Sequence, residues 1–484
     1  MRLSPLTSNP ASSALWTGVA VALAGLAFVG LFYFDLALEL MVLVVVLSLA
    51  AMYVGSRPAY TVVFLAIFLS IFLNNANYTF FNFSAEGERL GRSAETQLLV
   101  LLRLPLVLFA VGLVLAKYGG QFSRFLLNNW DVVIFVLVPF CSVLFSPDKM
   151  AALQYAVWFS FSLLTILGFV YLLGVHVPSK FWGEHVAWLL FAGYILVSVL
   201  VLYSLPSYFG GILSSAFSHS NFYAYACPVV LVAVLVLDRQ RRIPGNRLVN
   251  RIPYWLLLAI GVVNLVPILW SGKRSAVVAA GLALLIYLLA NRSAGVGTKS
   301  SSLGRTILVT AVFGAAVWMA IPRMDTTIMR FERLFDPSVE DQSLGARQDV
   351  WRTSLNLVAE EFPVLGVGLA NGATATRELA AIEEGAGSGL HSTYLAVFIE
   401  MGAVGLLFFI ILGFRSLRLF FSCPVSFKWN LVILAVPAVL ISATEYSLVP
   451  GQAVFWPLWL AVLLPRVVLV PWTDTSFSKN EATL

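Results

Sequence analysis

Charge is scarce in this chain: Asp, Glu, Lys and Arg together make up 11% of 484 residues against 60% apolar residues, and mean hydropathy is +0.90. Soluble domains carry about 25% charged residues, so a soluble globular protein of ordinary composition is excluded. Cysteine is equally sparse. Cys141, Cys227 and Cys423 form no CxxC pair and have no histidine close by in sequence, so neither a disulfide framework nor a zinc site is implied. Walker motifs and internal repeats are absent as well. Gly366-x-Gly368-x-x-Asn371 has the outline of a dinucleotide loop, but no parallel strand precedes it, and a turn is the better reading.

What the chain does have is a succession of apolar runs, mostly about 17 to 23 residues long, which is enough to cross about 30 Å of hydrocarbon as helix. The expected fold is all-α, a polytopic transmembrane helix bundle of about twelve to fourteen spans with a large, partly helical periplasmic loop. The first run, 14–34, has no small-residue cleavage site and is longer than a signal-peptide core, so it is read as a retained helix. With the N-terminus inside, the inner loops carry Arg57, Lys117, Arg124, Lys180, the arginines from Arg239 to Arg251, Arg292, Lys299, Arg305, Arg415, Arg418 and Lys428. This positive-inside pattern accounts for the net charge of +6 without nucleic acid. Residues 1–204 then form N-terminal spans, 205–321 central spans, 322–390 the loop domain, 391–473 C-terminal spans and 474–484 a cytoplasmic tail.

The loop carries eleven acidic and six basic residues. Within it Trp351, Leu355, Val358 and Phe362 recur at helical spacing, which predicts an amphipathic helix over 344–362 ended by Pro363 and the Gly366-Val367-Gly368 turn. The helix that follows begins near His391, one of four histidines. On a continuous helix Tyr394, Phe398, Gly402 and Gly405 fall within about 60° of the direction in which His391 points, giving a small-residue face for close packing. Glu400 lies about 180° away and is expected to pair with another span.

Several charges break the rules that the rest of the chain obeys. Lys273 and Arg274 stand on the expected outer side at the start of a helix, where both the dipole and the positive-inside rule disfavour them. An anion such as a phosphate would resolve the conflict, and so would snorkelling to lipid headgroups. Arg347, one turn before Trp351, admits an anion or a salt bridge to Asp349 or Glu361. Arg103, about two turns inside a span, needs a lipid-linked anion or a structural carboxylate. His391 can serve as a proton acceptor or as a structural histidine. On a second outward loop, His219 and Asn221 are secondary candidates.

These features together resemble the O-antigen ligase and polymerase superfamily of bacterial membrane glycosyltransferases. Its members carry a histidine, then Asn, Ser or Gln, nine residues, a glycine, two residues and a small or aromatic residue, directly after a large periplasmic loop. His391-Ser392, Gly402 and Gly405 match that spacing. Arg274 at the start of a middle helix, Arg347-x-x-x-Trp351, Pro363 and Gly366-x-Gly368 also match, over roughly residues 205 to 412.

The resemblance implies an enzyme of the bacterial inner membrane that moves a glycan from undecaprenyl diphosphate to a sugar hydroxyl on the periplasmic face, in lipopolysaccharide or exopolysaccharide synthesis. By that resemblance Arg274 and Arg347, supported by Lys273 and Arg103, hold the diphosphate. His391 is the catalytic base of an inverting transfer that needs neither metal nor other cofactor. His219, Asn221 and Tyr394 are left for the acceptor. The partners implied are the lipid-linked donor, a glycan or glycolipid acceptor, the bilayer and a polysaccharide chain-length regulator. Competing readings are a protein O-oligosaccharyltransferase, which would show more periplasmic mass after the last span, and a lipid-linked glycan flippase, which would show inverted repeats, broken helices and cation-pairing groups near the midplane.

Overall fold

The computed structural model describes residues 58–76, 94–209, 220–241, 250, 253–270, 274–293, 342–369, 371–372, 392–445, 448 and 454–470. The chain divides into a unit of residues 1–65 and a unit of residues 66–484. Of the first, only the start of helix α1 (Pro58–Ala76) is described. The second continues with α2 (Ala94–Asn128), α3 (Trp130–Ser142), α4 (Lys149–His176), α5 (Trp182–Phe209), α6 (Ser220–Gln240), α7 (Tyr254–Trp270) and α8 (Arg274–Ser293). The expected loop helix is α9 (Gln342–Glu361), followed by α10 (Thr393–Ser422), α11 (Val425–Thr444) and α12 (Phe455–Leu463), which runs into a short 3-10 turn, Leu464–Leu469.

Every described element is helical, as expected of a chain that must satisfy its backbone polar groups within hydrocarbon. Among the described residues α4, α10 and α11 are each long and apolar enough to cross a bilayer, and the bent pair 107–128 and 130–145 forms a fourth span if counted as one. This is a membrane protein.

Side-chain ties fix how the helices run. At the C-terminal end of α6, Arg239 donates to the Ser426 carbonyl at 2.8 Å and to Asn430 Oδ1 at 2.7 Å, at the start of α11. Near its N-terminal end, Tyr225 donates to Glu445 Oε1, one residue past the end of α11. Helices α6 and α11 are therefore antiparallel. Arg241, beyond the end of α6, lies over the ring of Tyr254, the first residue of α7, at 5.7 Å. Helix α7 thus returns alongside α6, and α8, four residues after Trp270, starts at the end of the bundle where α6 starts. Near the other end Tyr287 of α8 donates to the buried carboxylate of Asp238.

At that other end sits a buried ion cluster. Asp131, at the start of α3, accepts from Arg415 Nη1 at 2.8 Å and from Arg466, which is fully buried and also donates to Ser416 Oγ at 2.6 Å. Burying Asp131 and Arg466 is costly, so each must be held by the other, with the partly exposed Arg415 as a second donor to the carboxylate. Between the two ends Phe135, Phe159, Phe455 and Trp459 interlock, with ring centroids 5.5 Å apart for both Phe135 and Phe159 against Trp459.

Helix α10 is not the continuous helix expected from its periodicity. Gly402 has φ +66° and ψ −167° and breaks it. The ring of Tyr394 lies 5.9 Å from that of Phe409, whereas fifteen residues of straight helix would separate their backbones by about 22 Å. The chain therefore turns sharply at Gly402, leaving an arm, 393–401, and a straight portion, 403–422, that is long enough to span a bilayer by itself, at about 30 Å. The shared face of His391 and Gly405 is corrected accordingly: angles counted along one helix do not carry across this break.

Candidate active site at one end of the bundle

The break in α10 is filled by the chain that follows α9. An interrupted helix leaves carbonyls behind the break and N–H groups ahead of it without ladder partners, and burying each unsatisfied would cost about 1–3 kcal/mol. Here Val367 N–H donates to the Ile399 carbonyl and Gly368 N–H to that of Glu400, both at 3.0 Å. In the other direction Ala403 N–H donates to Pro363 at 2.9 Å and Val404 N–H to Val364 at 3.1 Å.

Such backbone-to-backbone approach requires glycine. A Cβ on Gly366 would meet the Glu400 carbonyl carbon and the Gly402 nitrogen at 2.6 Å, and one on Gly402 would meet the Val364 oxygen at 2.3 Å. Gly366 and Gly368 share the positive φ of Gly402, at 69° and 91°. The Gly366-x-Gly368 turn thus ends α9, as read from sequence, and also completes the hydrogen-bond ladder of α10.

Beyond the turn the loop is pinned again. Asn371 Nδ2 donates to Ser146 Oγ at 2.8 Å, in the connection between α3 and α4, and Gly372 N–H donates to Glu400 Oε1 at 3.3 Å. Glu400, 1% exposed, therefore engages the loop backbone from inside the arm. On α9, Ser354 and Val358 are buried while Leu355 is 37% exposed, so the packed face is turned slightly from the one the apolar pattern marked. Arg347 stands four residues before Trp351, itself half-buried, and its position continues that face.

At the far end of the arm, Ser392 caps the helix by accepting from Leu395 N–H at 3.4 Å. Thr393 Oγ1 donates to the backbone carbonyl of Glu445 at 2.7 Å. The carboxylate of the same Glu445 accepts from Tyr225, which lies one turn after Asn221 on α6. Helix α8 starts with Arg274 at this end of the bundle. The start of α6, the start of α8, the start of the α10 arm and the end of α11 are therefore gathered together. Three helix N-termini at one place favour an anion over any other ligand charge.

His391, His219 and Lys273 lie outside the described residues; His391 directly precedes the cap Ser392. Arg103, Asn221, Arg274 and Arg347 are described as positions on α2, α6, α8 and α9. Tyr394 is half-buried and donates to the Val439 carbonyl at 2.9 Å, clasping the arm to α11. Glu445 and Tyr225 had not been singled out in the sequence. Their partners lie 220 residues apart, and the only local signal was a lone carboxylate at a helix C-terminus, where the dipole opposes it. Cys423 lies between α10 and α11 at the opposite end, and burial pushes its thiol up to about 11, against a smaller lowering by Lys428, whereas Cys227, two residues after Tyr225 on α6, is fully buried.

Apolar spans, a broken helix whose ladder is completed by the turn after α9, and three helix starts at one end of the bundle characterise this membrane protein. Residues 259–410 match the family described as O-antigen ligase, which supports the O-antigen ligase and polymerase superfamily and a glycosyl-transferring activity of that type. The matched stretch runs from within α7 through α8, α9 and the arm into the straight portion of α10. No curated protein matches the chain.

Proposed function

We propose that this protein transfers a glycan from undecaprenyl diphosphate to a sugar hydroxyl at the periplasmic face of a bacterial inner membrane, as an O-antigen ligase or an O-antigen or exopolysaccharide polymerase. One observation supports the reading: the starts of α6, α8 and α10 lie at one end of the bundle, and the positions of Asn221 and Arg274 are on two of those starts. The diphosphate is a ready leaving group that carries negative charge. Arg274 and Arg347, with Lys273 and Arg103, hold it, and guanidinium groups can bind its oxygens in pairs and stabilise the charge that develops as it departs. His391 takes the proton of the acceptor hydroxyl as that oxygen attacks the anomeric carbon from the face opposite the diphosphate, and the configuration inverts.

Purified protein in vesicles, given a synthetic undecaprenyl diphosphate glycan with and without an acceptor, tests this proposal. The expected result is a new glycosidic product, with undecaprenyl diphosphate released only when acceptor is present. Donor crossing the bilayer without product would identify a transporter, and glycan appearing on a protein acceptor an O-oligosaccharyltransferase.

A further inference from the structure

The end of the bundle opposite the gathered helix starts carries positive charge that no described carboxylate neutralises. Asp131 is taken by Arg415 and Arg466, and Glu184 and Asp238, the other described carboxylates of that end, are buried. Arg124, near the end of α2, and Arg418, near the end of α10, are exposed, and neither has a hydrogen-bond or ion-pair partner. Arg415, its side chain 28% exposed, spends one N–H on Asp131 and one on the Asn128 carbonyl, which leaves three of its five. Its guanidinium stands 5.6 Å over the ring of Trp130.

The contacts of Arg415 bring α10 against the junction of α2 and α3. Arg124 lies one turn before Asn128 and Arg418 one turn after Arg415, so both stand within a turn of that junction. Helix α2 kinks at Tyr118 and meets α3 at 85°. Past the kink, Phe122 and Phe125 are buried against Tyr171, while Arg124 and Leu127 on the other side are exposed. Along α10, Leu407, Ile410, Phe414, Leu417 and Phe421 are all exposed at spacings of three and four residues, which makes one apolar stripe. Arg418 lies about 40° around the helix from Phe414, between the stripe and Arg415.

An exposed apolar stripe on a span meets acyl chains, and here it runs out where the arginines stand. A lipid whose headgroup is neutral overall would leave their charges repelling one another, whereas an anionic headgroup neutralises them and offers phosphate oxygens to a guanidinium. A second copy of this chain on the same stripe would set Arg418 against Arg418 across a two-fold axis, so charge disfavours it. We propose that Arg124, Arg415 and Arg418, with Phe414, Leu417 and Phe421, form a binding site for a phospholipid of net negative charge. The site stands at the far end from the helix starts and does not depend on the transfer reading.

The test uses the full-length protein in phosphatidylcholine vesicles with added phosphatidylglycerol or, separately, phosphatidylethanolamine. Lipid retention is read by native mass spectrometry and stability by the unfolding temperature, and neither readout involves glycan transfer. Phosphatidylglycerol is expected to be retained and to raise the unfolding temperature, and phosphatidylethanolamine to do neither. The double substitution Arg124→Gln and Arg418→Gln is expected to weaken phosphatidylglycerol binding about 30-fold, and Arg418→Gln alone about fivefold, from the usual contribution of one arginine near an anionic surface. Both side chains are exposed, so the unfolding temperature in phosphatidylcholine alone should not change; the single variant serves if the double one does not fold. Equal retention of the two lipids, or wild-type affinity for phosphatidylglycerol in both variants, overturns the proposal. So does a dimer in phosphatidylcholine that Phe414→Ser dissociates, since the stripe would then cover a second copy.

Discussion

Ala403 donates its backbone N–H to the carbonyl of Pro363 at 2.9 Å, which makes a turn after the loop helix part of the hydrogen-bond ladder of α10. Gly402 is what permits it. Gly402→Ala places a Cβ against the Val364 oxygen in a backbone conformation that L-residues avoid, and is expected to cost at least about 2 kcal/mol. The unfolding temperature should fall, and limited proteolysis should cut the loop between α9 and α10 faster than in wild type. Unchanged proteolysis would mean that the turn is not held by the break.

At the other end of the bundle, Asp131→Asn leaves Arg466 buried without its carboxylate. Breaking a buried pair in this way costs about 3–5 kcal/mol. Arg415 is partly exposed and adds little to the loss. Because this cluster is remote from the gathered helix starts, the folded fraction should keep both KM values. A shift in either KM would connect the two ends.

Thr393→Val removes the hydroxyl that the Glu445 carbonyl accepts at 2.7 Å, a bond worth about 1 kcal/mol. The arm then loses a tie next to His391. A several-fold drop in kcat with little change in donor KM is expected from the transfer assay, and an unaffected kcat would show that this tie does not set the geometry of the reaction.

Arg274→Ala should raise the donor KM by about 10- to 100-fold, the range that follows from losing charge-assisted hydrogen bonds. Arg274→Lys should restore only part of the loss, since an ammonium cannot bridge two phosphate oxygens as a guanidinium does. Equal rescue by lysine would point to simple charge attraction.

Much of this architecture can be read from the chain because its rules are local. Trp351, Val358 and Phe362 mark α9 by spacing alone, and Arg274 stands out because a cation starts a helix there. Gly402 misleads for the same reason. A glycine in an apolar run looks like a small residue packed in a helix, and the 3.6-residue period presumes that the helix continues. Its partners, Pro363 and Val364, lie about forty residues away on a polar loop. Asp131 and Glu445 are similarly silent: each is a single carboxylate whose meaning comes from Arg466 or Tyr225, far along the sequence and near only once the helices have packed.

The most direct measurement is the rate at which purified His391→Ala protein transfers glycan from a synthetic undecaprenyl diphosphate donor, set beside its donor binding. General-base catalysis contributes about 10²- to 10⁴-fold, so turnover should fall by that factor while donor binding stays at the wild-type level. Transfer by the variant at the wild-type rate would contradict the assignment of His391 as the base.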